Sequence, residues 1–201
     1  MTETERYTSV AKAFHWAIAI LIISEIAGGI IMTAMPFSDT KFLIYQFHKS
    51  FGLTVLMLSL GRLAWRLTHK PPAPVEGIPT WQERCASAAH VAFYVVMIGI
   101  PLSGWLMVSA STTGIPTKLF FVIPVPHWPI PVSESSELFW ESTHEIIAKS
   151  TIGLIVLHVA AALKHHFKDR DLTLVRMLPE PFASRWRPTS VGSQPSQETP
   201  S

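Results

Sequence analysis

The stretch from Cys85 to Thr117 reads CASAAHVAFYVVMIGIPLSGWLMVSASTTGIPT and contains no Asp, Glu, Lys or Arg. A helix crossing the ~30 Å hydrocarbon core of a bilayer needs about 20 mostly apolar residues. This stretch supplies them without interruption. The alternative, a helix of a soluble bundle, requires a polar stripe along one face. Val91-Ala-Phe-Tyr-Val-Val-Met-Ile98 has none. The stretch predicts a membrane span.

Three further segments have the same character. Ala13 to Ser38 is interrupted only by Glu25, and its Ile18-Ala-Ile-Leu-Ile-Ile23 again lacks a polar stripe. Preceded by Glu3 and Glu5 and too long for an h-region, it does not read as a cleavable signal. Ser50 to Gly61 and Ser150 to Leu163 are shorter. They reach spanning length only when their basic flanks sit at the interface: Lys49 with Arg62 and Arg66, and Lys149 with Lys164. Long basic side chains snorkel in this way. The pattern predicts four spans, at about 14–35, 47–67, 88–109 and 144–165. The fold class is then all-α, a four-helix transmembrane bundle over residues 1–179.

Composition agrees and narrows the functional classes. Of 201 residues, 48% are hydrophobic and 15% charged, where an average soluble domain has roughly 25% charged. Seven Trp and eleven Phe exclude a disordered chain. One cysteine, Cys85, excludes a disulfide scaffold, a thiolate zinc cluster, an iron–sulfur site and a CxxCH haem attachment. A net charge of +2 with no Lys/Arg run in the body of the chain excludes a nucleic-acid partner.

The basic residues orient the bundle. Four spans put both termini on one side, together with twelve of the Lys and Arg residues; Lys41, Lys49, Lys118 and Lys149 fall on the other. The positive-inside rule makes the terminal side cytoplasmic. The outer loop is expected over 110–143, with Glu134, Glu137 and Glu141 in it and PVPHWPIP at 124–131 breaking any helix. PPAPVEGIP at 71–79 reads as a stiff inner connector, and the Pro-, Ser- and Thr-rich tail 180–201 as disordered and cytoplasmic.

Nine histidines in so apolar a chain call for a reason, since ionisable groups inside membrane helices are costly and functional by default. His15 falls at the inner end of the first span, His48 at the outer end of the second, and His90 near the inner end of the third. His144 and His158 share the fourth. Fourteen residues of helix separate them by ~21 Å along the axis and leave them within roughly 40° of one face. His48 is level with His144, and His15 with His158, although a straight ruler sets His158 several ångströms deeper than His15. His90 therefore competes as the inner partner. Two imidazole pairs at two depths match the needs of two noncovalent bis-histidine haem b groups. Zinc or copper would require three or four ligands converging at one point, so a haem-free metal or proton transporter is the lesser alternative.

Other residues take supporting parts. Gly52, one turn after His48, and Gly153, between the two histidines of the fourth span, leave room for a flat macrocycle near the backbone. Lys49, Arg62 and Arg66 are placed to pair with propionates. Glu25 is either a proton-transfer or quinone-contacting group, or the partner of another bundle residue. Trp16, Trp65, Trp105, Trp128 and Trp140 read as an interfacial belt. His165 and His166 read as interfacial, and His69 and His127 as solvated.

These motifs resemble the bacterial cytochrome b561 family, the small di-haem membrane cytochromes related to the b-type subunits of membrane hydrogenases. The resemblance spans about residues 6–180 and rests on Phe14-His15-Trp16, His48-Lys-Ser-Phe-Gly52 and Arg62-Leu-Ala-Trp-Arg66. It continues through Ala89-His90-Val-Ala-Phe-Tyr94, Pro101-Leu-Ser-Gly104, His144-Glu145, Leu157-His158, His165-His166 and Leu174-Val-Arg-Met-Leu-Pro179. It implies a multi-pass protein of the bacterial inner membrane with two haem b groups, one on His48 and His144 and one on His15 and His158. It also implies electron exchange with a quinone such as ubiquinone, with His90 as a quinone contact, and for some members superoxide oxidation at the outer face. The alternative within the resemblance is an electron-transfer subunit that anchors a partner dehydrogenase or hydrogenase.

Overall fold

The computed structural model describes residues 6–75, 77–179 and 182–185. Four long helices dominate: α1 (Ser9–Ala34), α2 (Asp39–Thr68), α3 (Thr80–Ala110) and α4 (Glu134–Lys164). Three are long and apolar enough to cross a membrane: α1, α3, and α4 with the turn that continues it to Asp169. α2 is equally long but carries Asp39, Lys41, Lys49, Arg62 and Arg66.

Each helix begins earlier than the charge-free stretches indicate, and three of the four, α1, α2 and α4, start at a side-chain cap that hydropathy does not register. Ser38 accepts a bond from Lys41 N ahead of α2, and Ser133 accepts one from Ser136 N ahead of α4, each satisfying an otherwise orphaned N–H. Glu134 and Glu137 in the first turn of α4 favour the positive end of its dipole. The expected loop 110–143 accordingly shrinks to 111–133.

That loop is not featureless. β1 (Thr117–Leu119) pairs antiparallel with β2 (Ile123–Val125), so the all-α expectation gains a small hairpin. Phe120 and Phe121 at its tip have φ of 46° and 65°, a left-handed conformation that non-glycine residues rarely adopt. Tertiary contacts hold it. The Phe120 N–H donates to Ser50 Oγ at 2.9 Å, and the two rings meet Phe51 and Phe47 of α2 edge-on at 5.4 Å.

Close packing runs α1 to α2, α2 to α3 and α3 to α4, whereas α4 has no comparable backbone approach to α1 or α2. The apolar core is small: Ile18, Ile22, Val55 and Met97 form one cluster. Many large apolar side chains, such as Ile20, Ile23, Val91, Val95 and Val156, face outward. In lipid this is unsurprising, because helix association there rests on close packing and hydrogen bonds rather than on hiding apolar surface.

At the end bearing the termini, the chain after α4 folds back. A π-helical turn (His165–Asp169) ends at Arg170 in the left-handed region. His165 Nδ1 meets Asp171 Oδ2 at 2.6 Å. Lys164 donates to Asp169 Oδ2 at 2.6 Å. Arg176 donates to the Ala73 carbonyl and the Trp16 indole to the Met177 carbonyl. One helical turn, α5 (Phe182–Arg185), buries Ala183 within the tail expected to be disordered; residues 186–201 lie outside the described residues.

Replacing Ser50 by Ala removes the acceptor for Phe120 N and leaves a strained tip unsupported. The expected loss is about 1 to 3 kcal/mol, the cost of stranding a buried donor. It should be read as a lower midpoint of thermal unfolding in detergent and faster amide exchange at 117–125.

Candidate functional site

Alternation of the four helices brings the start of α2 and α4 beside the end of α1 and α3. His48 and His144 therefore face each other, with ring centroids 6.2 Å apart and planes at 82°. His144 is held by α3. Its Nδ1 lies 2.9 Å from the Ile100 carbonyl and 3.1 Å from Ser103 Oγ. Gly104 makes this approach feasible, since a Cβ there would stand 3.1 Å from the ring. His48 meets α1, with Glu25 Oε2 2.9 Å from its Nδ1. The carboxylate sits off the hydrogen-bonding direction of that nitrogen in this side-chain setting.

The opposite end holds His15 of α1, His90 of α3 and His158 of α4. His15 and His158 are 6.2 Å apart between centroids, and His90 and His158 6.4 Å. The depth offset expected between His15 and His158 does not keep them apart, since their rings are neighbours across the bundle. Both candidates for the inner partner therefore stand beside His158. Phe93 abuts the same ring edge-on at 5.1 Å. Arg62 is within electrostatic reach of all three imidazoles, with Tyr94 and Tyr7 beside it.

The remaining residues of interest fall around these two groups. Gly52 lies against Glu25, where a Cβ would be 3.7 Å from Oε2, and Gly153 faces open space. Lys49 is half-buried next to His48, and Arg66 is exposed. Arg62 and Arg66 line a cleft at the terminal end together with Arg6, Tyr7, Trp65 and Lys70. His69 and His127 are more engaged than expected of solvated loop residues. His69 stacks on Trp65 with centroids 3.6 Å apart, and His127 Nε2 lies 3.3 Å from Thr117 Oγ1. The three indoles of Trp16, Trp65 and Trp105 each donate to a protein oxygen.

Sequence reasoning overlooked Ile100, Ser103 and Gly104 as supports of His144. A signal was present in Pro101-Leu-Ser-Gly104, which places a small residue and a hydroxyl within one turn in the middle of an apolar helix.

The chain matches the family described as prokaryotic cytochrome b561 over residues 6–180. It belongs to that family. It is 34% identical to cytochrome b561 homolog 2 of Escherichia coli (strain K12), covering 87% of this chain and 92% of the relative. It is 29% identical to cytochrome b561 homolog 1 of the same organism, over 87% of this chain and 97% of the relative. A protein of Yersinia pestis described as probable superoxide oxidase CybB is 24% identical, over 88% of this chain and 97% of its own length. As a prokaryotic cytochrome b561, the chain is a membrane protein of haem b electron transfer.

The facing imidazoles suit that cofactor. Metal–imidazole bonds of ~2 Å on both sides of an iron, with each ring centroid a further ~1 Å away, require centroids about 6 Å apart. In His144 the Nδ1 is engaged by a carbonyl, which leaves Nε2 free.

A methyl group at Gly104 would press on His144, whose ring must give by a few tenths of an ångström. Gly104→Ala is expected to lower the haem-to-protein ratio of the purified protein while leaving its helicity unchanged. An unaltered ratio would show that the ring has slack.

Proposed function

We propose that this cytochrome moves electrons across a bacterial inner membrane through two haem b groups, one held by His48 and His144 and the other by His15 and His158. The observation that carries the reading is the common 6.2 Å spacing of two imidazole pairs near opposite ends of one helix, α4. Along that helix His144 and His158 are ~21 Å apart. Between them the two pairs divide the thickness of a bilayer.

In this reading α2 is the fourth span. Its support is its length and its packing between α1 and α3, both long and apolar enough to cross. The concentration of Lys and Arg at the terminal end supports cytoplasmic termini. Residues 1–179 are then the membrane domain.

Haem b, when bound, supplies an iron that gains and loses one electron. The chain's residues do the rest. His48, His144, His15 and His158 offer Nε2 atoms from helices that hold them apart. Arg62, beside the inner histidines, is the cation best placed for propionate carboxylates, with Arg66 further out. At the other end Lys49 plays the same part. Gly153, where a Cβ would meet open space, would leave room for the macrocycle, while Gly52 makes room for the Glu25 carboxylate.

The electron acceptor in this reading is a quinone, ubiquinone by preference. The apolar outer faces of the helices admit a lipid-soluble carrier from the bilayer, and His90 lies beside the inner pair to contact it. Superoxide is the donor to test first, following the name of the Yersinia relative. Lys41, Lys49, Lys118 and Lys149, on the outer side in this reading, would draw in such an anion, but Lys149 is paired with Glu145 and Lys41 donates to the Met35 carbonyl. Lys49 and Lys118 are left as the stronger candidates.

Reduced-minus-oxidised absorbance of the purified protein should show two haems per chain. His48→Ala and His144→Ala should each leave one haem, the same one, and His15→Ala and His158→Ala the other. His90→Ala should retain both. Loss of a haem in His90→Ala but not in His15→Ala would transfer the inner ligand to His90, and a parent protein with one haem or none would overturn the reading. Reporter fusions to both termini should respond as cytoplasmic.

A further inference from the structure

We infer that Glu25 is a positioning residue for the outer site: its carboxylate holds the His48 ring, keeps the ring proton on Nδ1 and makes Nε2 a stronger donor to iron. The inference rests on the reading of His48 as a haem ligand.

Glu25 is the one charged residue between Ala13 and Ser38, and a carboxylate within an apolar helix needs a partner in the protein. Its Oε2 is 2.9 Å from His48 Nδ1, with the two side chains only 16% and 20% exposed. The surroundings are shaped for the pair. Gly52, one turn after His48, faces the carboxylate, and Gly29, one turn after Glu25, faces Cε1 of the imidazole, each at a Cβ distance of 3.7 Å. The two atoms stand at ion-pair distance without a directed hydrogen bond.

Ligand histidines generally donate their second N–H to a carboxylate, carbonyl or water, which fixes the tautomer and raises ligand basicity. A charge-assisted bond is the stronger kind. The two ends of the molecule differ in this respect. His48 faces a carboxylate and His144 a neutral carbonyl. Neither His15 Nδ1 nor His48 Nδ1 makes a hydrogen bond among the described residues, but His48 Nδ1 has a carboxylate oxygen 2.9 Å away, whereas the Arg62 cation acts on His15 and His158. A carboxylate behind one ligand favours ferric iron, and a cation near the other haem favours ferrous iron. Both effects set the outer haem below the inner haem in potential, so electrons run downhill from the outer face toward the terminal end.

The test is an absorbance- and EPR-monitored redox titration of the purified holoprotein and its Glu25→Gln, Glu25→Asp and His48→Ala variants. Glu25→Gln should keep both haems. It should raise the potential of the outer haem enough to change its oxidised-to-reduced ratio about tenfold at fixed ambient potential, which is about 59 mV for one electron. The low-spin ferric EPR signal of that haem should move with it while the inner haem stays put. Glu25→Asp, which retains the charge, should stay near the parent. An unshifted outer potential in Glu25→Gln, or an equal shift in Glu25→Asp, overturns the inference. If Glu25→Gln loses the outer haem, retention in Glu25→Asp with a parent-like potential supports it, and loss there too overturns it. His48→Ala separates this failure from that of the underlying reading, because a variant that keeps both haems shows that His48 is not a ligand.

Discussion

Hydrocarbon offers no hydrogen-bond partner, so each polar side chain within these helices must be satisfied by another part of the chain or by something the chain binds. The arrangement of this protein follows from that constraint. Serines and threonines in the helices bond back to carbonyls one turn earlier, as Ser24, Thr54, Thr151 and Ser150 do. Indoles near the helix ends reach protein oxygens. The imidazoles cannot be absorbed so simply, since each has two nitrogens and a local bond satisfies one. They face each other across the bundle instead, in two groups.

The same constraint explains the uneven packing. α1, α2 and α3 form a contiguous layer knit by Ile18, Ile22, Val55 and Met97, with α4 packed chiefly on α3 and reaching the cluster through Ile155. A bundle held only by side-chain contact would close α4 onto α1 as well. Here the ring pairs and Ile155 are what α4 presents across that side. α3 acts as the rigid support, carrying through Ile100, Ser103 and Gly104 the contacts that orient His144. The hairpin β1–β2, pinned to Ser50 and to the phenyl rings that flank His48, ties the loop at that end to α2.

Much of this was legible in residue order. Charge-free runs locate helices because a charge in hydrocarbon costs several times what an apolar residue gains. Histidines stand out against such a background, and fourteen residues of helix between His144 and His158 set their separation and shared face. Glu25 stood out for the same reason, though its neighbours in sequence hold no clue to its partner. Helix starts were less legible, since Ser38 and Ser133 act through local hydrogen bonds that hydropathy does not register. The hairpin was hidden because Phe120 and Phe121 adopt a backbone conformation that only contacts with Phe47, Phe51 and Ser50 stabilise.

The sequence by itself determined the solvent, the helices and the inventory of polar residues they tolerate, because each is a property of consecutive residues and of one helical period. Only the tertiary structure decided which imidazole faces which, that Glu25 belongs to His48, and that Gly104 and Ile100 serve His144. Those relations join residues 23 to 143 positions apart. They depend on the tilt and rotation of whole helices, which packing sets and no local pattern encodes.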